Sequence, residues 1–431
     1  MQPTTDEAAT TTASGSPFAS QTDASSRPSE QHHAETRFTQ ERIDSSAAII
    51  SDNVAEIHSE YDLFRQSCPI AYTTQYSGYY LLTRYHDIKA AALDSTTFIS
   101  SVRAVIPSDP RGLRRPPLNF DAPAHTPYRT ALDRTLKPAR VKRLAAPLER
   151  HAEVLLAPLL TAKGGNICTE FATDFAAWVE TEWLNLEPET APKLARTASA
   201  WVDAWRRMDG EKTTFYSTAL YDISRSVLDD RRRSPRDPEE DPASSLLSER
   251  GPDGEPLEEM HLVGCIRQSL VVGMVAPPLM LGGICNYLSE HQDLQQQLRD
   301  DPSLIPAAME EFVRLFSPYR GFARTVSKDV VIHGQTIKPG IPISMTYSAA
   351  NRDPVVFDDP HTFILNRPNI SMHVGFGRGR HRCVGQPLAR LALQTALTVL
   401  LRRTKKFKVN GELQFARMPE MGIISCPLVF T

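Results

Sequence analysis

No two cysteines stand at CxxC spacing; the six present (Cys68, Cys168, Cys265, Cys285, Cys383 and Cys426) are scattered along 431 residues. That scatter excludes a zinc ribbon and offers no disulfide framework, so a reducing, cytoplasmic compartment is expected. Excess charge of one sign is also missing, since 48 Lys and Arg against 51 Asp and Glu leave a formal charge of −3. Nothing in that balance recruits nucleic acid or an anionic membrane. Internal repeats are absent. Long apolar runs are scarce: the longest, Leu270 to Ile284, contains Pro277 and Pro278 and is too short to span a bilayer. A soluble protein without signal peptide or membrane anchor is expected.

Residues 1–45 carry almost no large aliphatic side chains and cannot bury enough surface to offset ordering entropy. They are expected to form a disordered tail. Their acidic residues (Asp6, Glu7, Asp23, Glu30, Glu35) and scarce arginines argue against a transit peptide. Residues 46–431 then form a single large domain, mainly α with a smaller β portion. Ser59–Cys68 reads as a helix end, and Gly78–Thr83 as a strand entering a helix at Tyr85. Ile99–Asn119, rich in Pro, Arg and Ser, reads as an irregular loop. A helical body follows from about Pro127 to Val227, then a charged, Pro-rich stretch from Asp229 to Glu259. Helical patterning resumes near Glu258 and continues to Phe316. Short strands and turns run to Gly375, a last helix runs from Gly385 to Arg403, and the end is strand-like.

The densest chemical signal is Phe376-Gly-Arg-Gly-Arg-His-Arg-Cys383-Val-Gly385, running into Pro387-Leu-Ala-Arg390. Glycines at 377, 379 and 385 permit positive φ and a close backbone approach to a flat partner. A cysteine at a helix N-terminus meets unpaired N–H groups and the positive dipole end, which favour thiolate. A lone cysteine beside a Gly-rich turn is more often simply buried. Here, however, the loop closely resembles the haem loop of cytochromes P450, Phe-Gly-x-Gly-x-His-x-Cys-x-Gly. Glu310-Glu311-Phe-Val-Arg314 resembles the family's Glu-x-x-Arg motif, with Glu311 and Arg314 on one helical face. Asn351-Arg352-Asp353-Pro354, Phe357 and Phe363 match the segment that the motif is tied to. Ala122–Arg129 resembles Asp-Pro-Pro-x-His-x-x-x-Arg, and Thr83–Asp87 matches an early strand-to-helix junction. The resemblance covers about residue 55 to the end, in the family's order.

The resemblance implies a P450-like fold with haem b, Cys383 as axial iron ligand, and Phe376, Gly377 and Gly385 around it. It assigns His125, Arg129, Arg324 and His381 to the haem propionates, a role that suits cationic donors. It also implies electrons from a separate NAD(P)H-linked donor, a ferredoxin or flavodoxin-like protein. No fused reductase is expected. Arg378, Arg380, Arg382, Arg402, Arg403, Lys405 and Lys406 form a basic run that would attract such an acidic carrier.

One departure stands out. Oxygen-inserting relatives carry Ala/Gly-Gly-x-Asp/Glu-Thr over the iron, where acid and alcohol organise the water that delivers protons. Counting back from the Glu-x-x-Arg helix, that stretch is Val272-Gly273-Met274-Val275-Ala276, so Val275 and Ala276 occupy the relay positions. Neither relays a proton, and Pro277 and Pro278 should kink the helix there. The expected activity is therefore an oxidative step on a small organic molecule, in natural-product or aromatic and terpenoid metabolism, without the usual relay. Coupling, cyclisation, nitration or a peroxide-dependent reaction is the alternative; a non-catalytic haem sensor is the alternative class. Val272, Gly273, Ala276, Pro277, Tyr319, Arg320 and Ile423 are expected to line the substrate pocket. Arg320 is read as a solvated side chain or, less simply, a carboxylate anchor.

Overall fold

The computed structural model describes residues 38–108 and 114–431. Helix dominates, and the largest core forms where the helices Ala145–Ala162, Thr173–Trp183, Glu259–Val272, Ala276–Glu290 and Gln386–Arg403 pack together. Their apolar faces supply Leu148, Leu156, Leu270, Leu288, Leu397 and Leu400, each buried. A buried side chain of this size contributes about 1.5–3 kcal/mol. Proline in the first turn starts the helices Ile305–Leu315 and Gln386–Arg403, where its missing N–H costs nothing. The latter ends beyond Arg402 and Arg403, whose charges suit the C-terminal dipole.

A five-stranded sheet lies to one side, in the order Ile70–Thr73, Tyr79–Leu82, Pro342–Met345, Phe322–Val326, Phe98–Ile99. Tyr79–Leu82 runs parallel to Pro342–Met345, with Tyr80 opposite Ile343; the other pairings are antiparallel. Arg324 stands opposite Ile343 in this sheet and is buried. A three-stranded sheet joins Gly164–Asn166, Pro427–Phe430 and Phe407–Val409.

Several boundaries differ from expectation. Residues 1–37 of the expected tail lie outside the described residues, but Gln40–Asp44 is helical. Ile43 is buried there, and Asp44 accepts hydrogen bonds from Thr73 and Thr74, so the body begins before residue 46. The charged stretch after Val227 is not all loop: one helix continues to Arg233 and another spans Pro242–Ser248. Asp241 caps the latter and pairs with the buried Arg231 at 2.9 Å. The region from Ile99 to Asn119 has no helix or strand beyond Ile99 among its described residues.

The run Glu259–Glu290 is long and apolar enough to cross a membrane by composition, which a reading confined to Leu270–Ile284 understated. Buried residues make up 67% of its most apolar window, as in a core helix. The two prolines act as expected. The run splits into Glu259–Val272 and Ala276–Glu290, separated by Gly273, Met274 and Val275.

Candidate active site

The cysteine loop connects His373 to the helix Gln386–Arg403 and is tied down at several points. Cys383 N–H donates to Phe376 O at 2.8 Å, closing the loop on itself. Gly377 and Gly379 each have φ of 71°, and a Cβ on Gly379 would collide with the Ala92 carbonyl. Those two positions need glycine. Gly385 does not follow the expectation: its φ is −75°, within reach of any residue. What it contributes is open space beside the sulfur and a backbone N–H that bonds to it. Burial pushes the Cys383 thiol up, opposed by that bond and by Arg129, Arg390 and Arg382. The helix end alone therefore does not make a thiolate; coordination to a cation would.

Behind the loop, the buried Glu311 and the partly exposed Glu310 of the helix Ile305–Leu315 hold the scaffold. Glu311 pairs with Arg314 through two bonds of 2.7 Å and with Arg367 at 3.0 Å. Arg314 also donates to the carbonyls of Asn351, Pro360 and Thr362. Glu310 receives both nitrogens of Arg390 at 2.6 and 2.7 Å and lies 3.1 Å from His373. Burial alone would raise the Glu310 carboxyl, yet these partners hold it at about 2. Arg390 in turn lies 4.8 Å over the Phe376 ring. The sequence pattern pointed to Glu311 and Arg314; the Glu310–Arg390 pair forms only where two helices meet, and Arg367 reaches Glu311 from the irregular segment before Ile370.

Cys383 opens onto a cavity of about 390 Å³ between its helix and the broken central helix. Val272, Gly273, Val275, Ala276, Pro277 and Tyr319 line it, together with Phe376, Gly377 and Gly385. Two expected pocket residues do not. Arg320 is buried and donates to the carbonyls of Ala48 at 3.0 Å, Ser51 at 2.5 Å and Glu420 at 3.4 Å. It is neither solvated nor free to hold a carboxylate, because it ties the N-terminal helices to the sheet. Ile423 is a strand residue packed against Gly282 in the core.

One flank of the cavity gathers His125, Arg129, Arg324 and His381. Both ring nitrogens of His125 and Nε2 of His381 are buried without hydrogen-bond partners among the described residues. The two rings are 4.6 Å apart. Burial, then repulsion from Arg129 and Arg380, pushes His125 down to about 4. Burial, then Arg324, His125 and Arg129, pushes His381 down to about 2. Arg324 is buried and donates to Ala323 O at 2.6 Å. Arg129 is more committed than expected: it pairs with Asp133 at 2.7 Å and donates to Arg382 O at 2.6 Å. A pocket of orphaned donors and a buried guanidinium suits a ligand bearing carboxylates. A flat prosthetic group with acidic side arms and a metal above Cys383 fits these residues.

Comparison with known proteins decides the family. The cytochrome P450 family model matches residues 284–421. The cytochrome P450 CYP199A2 of Rhodopseudomonas palustris is 32% identical over 380 residues, covering 84% of this chain and 88% of the relative. This chain belongs to the cytochrome P450 family. Among other relatives of the P450, the mycinamicin IV hydroxylase/epoxidase of Micromonospora griseorubida is 30% identical over 356 residues, covering 81% and 88%. In structure, the P450 matches CYP268A2 of Mycobacterium marinum in complex with pseudoionone, with a TM-score of 0.80 over 88% and 95% of the chains. At 24% identity that likeness speaks for the fold alone. Membership makes the chain a haem-dependent oxidoreductase of the monooxygenase kind.

The distal half of the cavity holds residues that no motif revealed. Glu180, Trp201, Trp205, Arg267 and Gln268 line it. Arg267 is fully buried, with its guanidinium 4.5 Å over the Trp201 ring. A signal for Glu180 existed in the sequence. It falls on the apolar face of its helix, four residues after Ala176 and three before Trp183.

Proposed function

We propose that this P450 oxidises a small, mainly apolar organic molecule on haem b, without an acid–alcohol pair in its central helix. The observation that carries this reading is the cavity itself. Cys383 lies at one side, orphaned donors at the flank, and Val275 and Ala276, neither able to relay a proton, are among its walls. Cys383 would hold the iron, and His125, Arg324 and His381 the propionates, with Arg129 fixing the cysteine loop. When bound, the haem supplies dioxygen activation and one-electron oxidation. The chain's own residues bind and orient the substrate and exclude water. Apolar walls at Val179, Val272, Pro277 and Met280, with Trp201 and Trp205, suit an aromatic or terpenoid skeleton. The relative named for mycinamicin IV oxidation is consistent with natural-product chemistry.

Insertion and coupling differ in the fate of oxygen. Once a ligand is identified from its shift of the haem spectrum, turnover under isotope-labelled dioxygen is the decisive measurement. Label in the product is expected for insertion; an unlabelled, dehydrogenated or cross-coupled product would replace this reading with the alternative chemistry.

Electrons would come from a separate NAD(P)H-linked chain through a ferredoxin or flavodoxin-like carrier in the cytoplasm. The basic face is smaller than the sequence suggested. Arg402 pairs with Glu149 and Glu153, and Arg403 with Glu153. The cations without such pairing are Arg378, Arg380, Arg382, Lys405 and Lys406, among the described residues. Arg378, Arg380 and Arg382 belong to the cysteine loop itself, whereas Lys405 and Lys406 lie beyond the far end of the helix Gln386–Arg403. Reduction by an acidic ferredoxin should slow about tenfold or more as ionic strength rises from low to moderate. Stopped-flow reduction rates that ignore salt would remove this docking face.

A further inference from the structure

The break at Gly273–Val275 lacks an acid of its own, yet a carboxyl reaches it from elsewhere. Glu180 lies on the helix Thr173–Trp183, which packs against both halves of the central helix. Its side chain lines the cavity and is buried, and Oε2 has no hydrogen-bond partner among the described residues. A Cβ on Gly273 would collide with Glu180 Oε1, so the carboxyl occupies the space that a side chain at 273 would fill. Gly273 is two residues before Val275, where the family's acid would stand. Pro277 and Pro278 offer no N–H to the carbonyls of Gly273 and Met274, which leaves polar backbone beside this carboxyl.

We propose that Glu180 is the proton-holding group of the distal cavity, a neutral carboxyl delivered by a neighbouring helix in place of the acid missing at Val275. Burial pushes it up to about 8, and no charged neighbour contributes. Arg267 on the central helix is stacked on Trp201, and Glu420, across the cavity, is bound by Arg206 at 2.6 and 2.8 Å. An isolated carboxylate in such surroundings is costly, so the group keeps its proton at neutral pH. In use, the Glu180 O–H bond breaks and the proton passes to cavity water. The carboxylate then regains one proton from solvent, with no net change in the protein. The proposal rests on the haem-oxidase reading above.

Infrared spectroscopy of the haem-loaded protein from about pH 6 to about pH 10 tests it, with carbon monoxide bound to the reduced iron as probe. A protonated-carboxyl band is expected that fades with a midpoint near the value above and is missing in Glu180→Gln. The carbon–oxygen stretch of the probe should shift with the same midpoint in the native protein and be pH-independent in Glu180→Gln. Glu180→Asp, which retains the carboxyl but withdraws it by one methylene, should keep the band and weaken the shift. Absence of the band at neutral pH would overturn the proposal. So would a band that titrates while the probe stretch stays still, since Glu180 would then be merely a buried acid. Failure to form the thiolate-type carbon monoxide complex would be visible beforehand in the absorption spectrum, and would overturn the haem reading along with this one.

Discussion

Cys383→Ala is expected to yield a protein that folds but has lost the thiolate-type spectrum of its reduced carbon monoxide complex, together with all turnover. The sulfur lines the cavity rather than filling a core gap, so its removal leaves the packing around it intact. The loop is held by the Cys383 N–H to Phe376 O bond, by Arg129 on the Arg380 and Arg382 carbonyls, and by the two positive-φ glycines. None of these uses the Cys383 side chain. Apoprotein stability should therefore change by about 1 kcal/mol or less, measured by denaturant unfolding. Cys383→Ser offers a hydroxyl, a poor substitute for thiolate, and should lose the same absorption band. Persistence of pigment, spectrum and turnover in either variant would remove the metal-ligand role from this residue.

Glu311→Gln is expected to cause the largest loss of stability of any conservative polar substitution considered. Glu311 and the guanidinium groups of Arg314 and Arg367 are almost wholly inaccessible, and the carboxylate is the counter-charge for both arginines. It also accepts the Ile364 N–H at 3.0 Å. Neutralising it leaves two buried cations facing one amide. Breaking a buried pair in this way costs about 3–5 kcal/mol. Differential scanning calorimetry or urea unfolding of the apoprotein would measure it, and a loss below about 1 kcal/mol would show that the cluster is not needed for stability. The pH dependence has a defined sign. Burial alone would raise the Glu311 carboxyl, but Arg314, the Ile364 N–H and Arg367 lower it. A lowered folded value means that the stabilisation is present above the unfolded carboxyl range and disappears as pH falls through the folded value. The native protein should thus lose stability on acidification more steeply than Glu311→Gln.

Much of the site could be read in one dimension because its parts are local. Phe376 to Gly385 is a continuous segment, and the two positive-φ glycines that shape it stand within a few residues of His381 and Cys383. Glu311 and Arg314 are three apart on one helix, so their pairing is a matter of helical pitch. Pro277 and Pro278 announce the break in the central helix by chemistry alone. Arg320 shows the opposite situation. An isolated arginine in a loop is usually solvated, and only the return of the N-terminal helices across the sheet buries it on the Ala48 and Ser51 carbonyls. Arg402 and Arg403 likewise read as free charge until the helix Ala145–Ala162 brings Glu149 and Glu153 beside them.

The order of motifs along the chain determined the family, the cysteine proposed to hold the iron, and the lack of any acid or alcohol between Leu270 and Ile284. Each depends on residues adjacent in sequence or spaced by a helical turn. Tertiary packing decided what fills that absence: Glu180 lies 93 positions before Gly273, and its place against the break follows from two helices packing across one core. It also decided that the orphaned rings of His125 and His381 would share one buried flank. Long-range contacts of this kind follow from shape complementarity between faces, which no local spacing records.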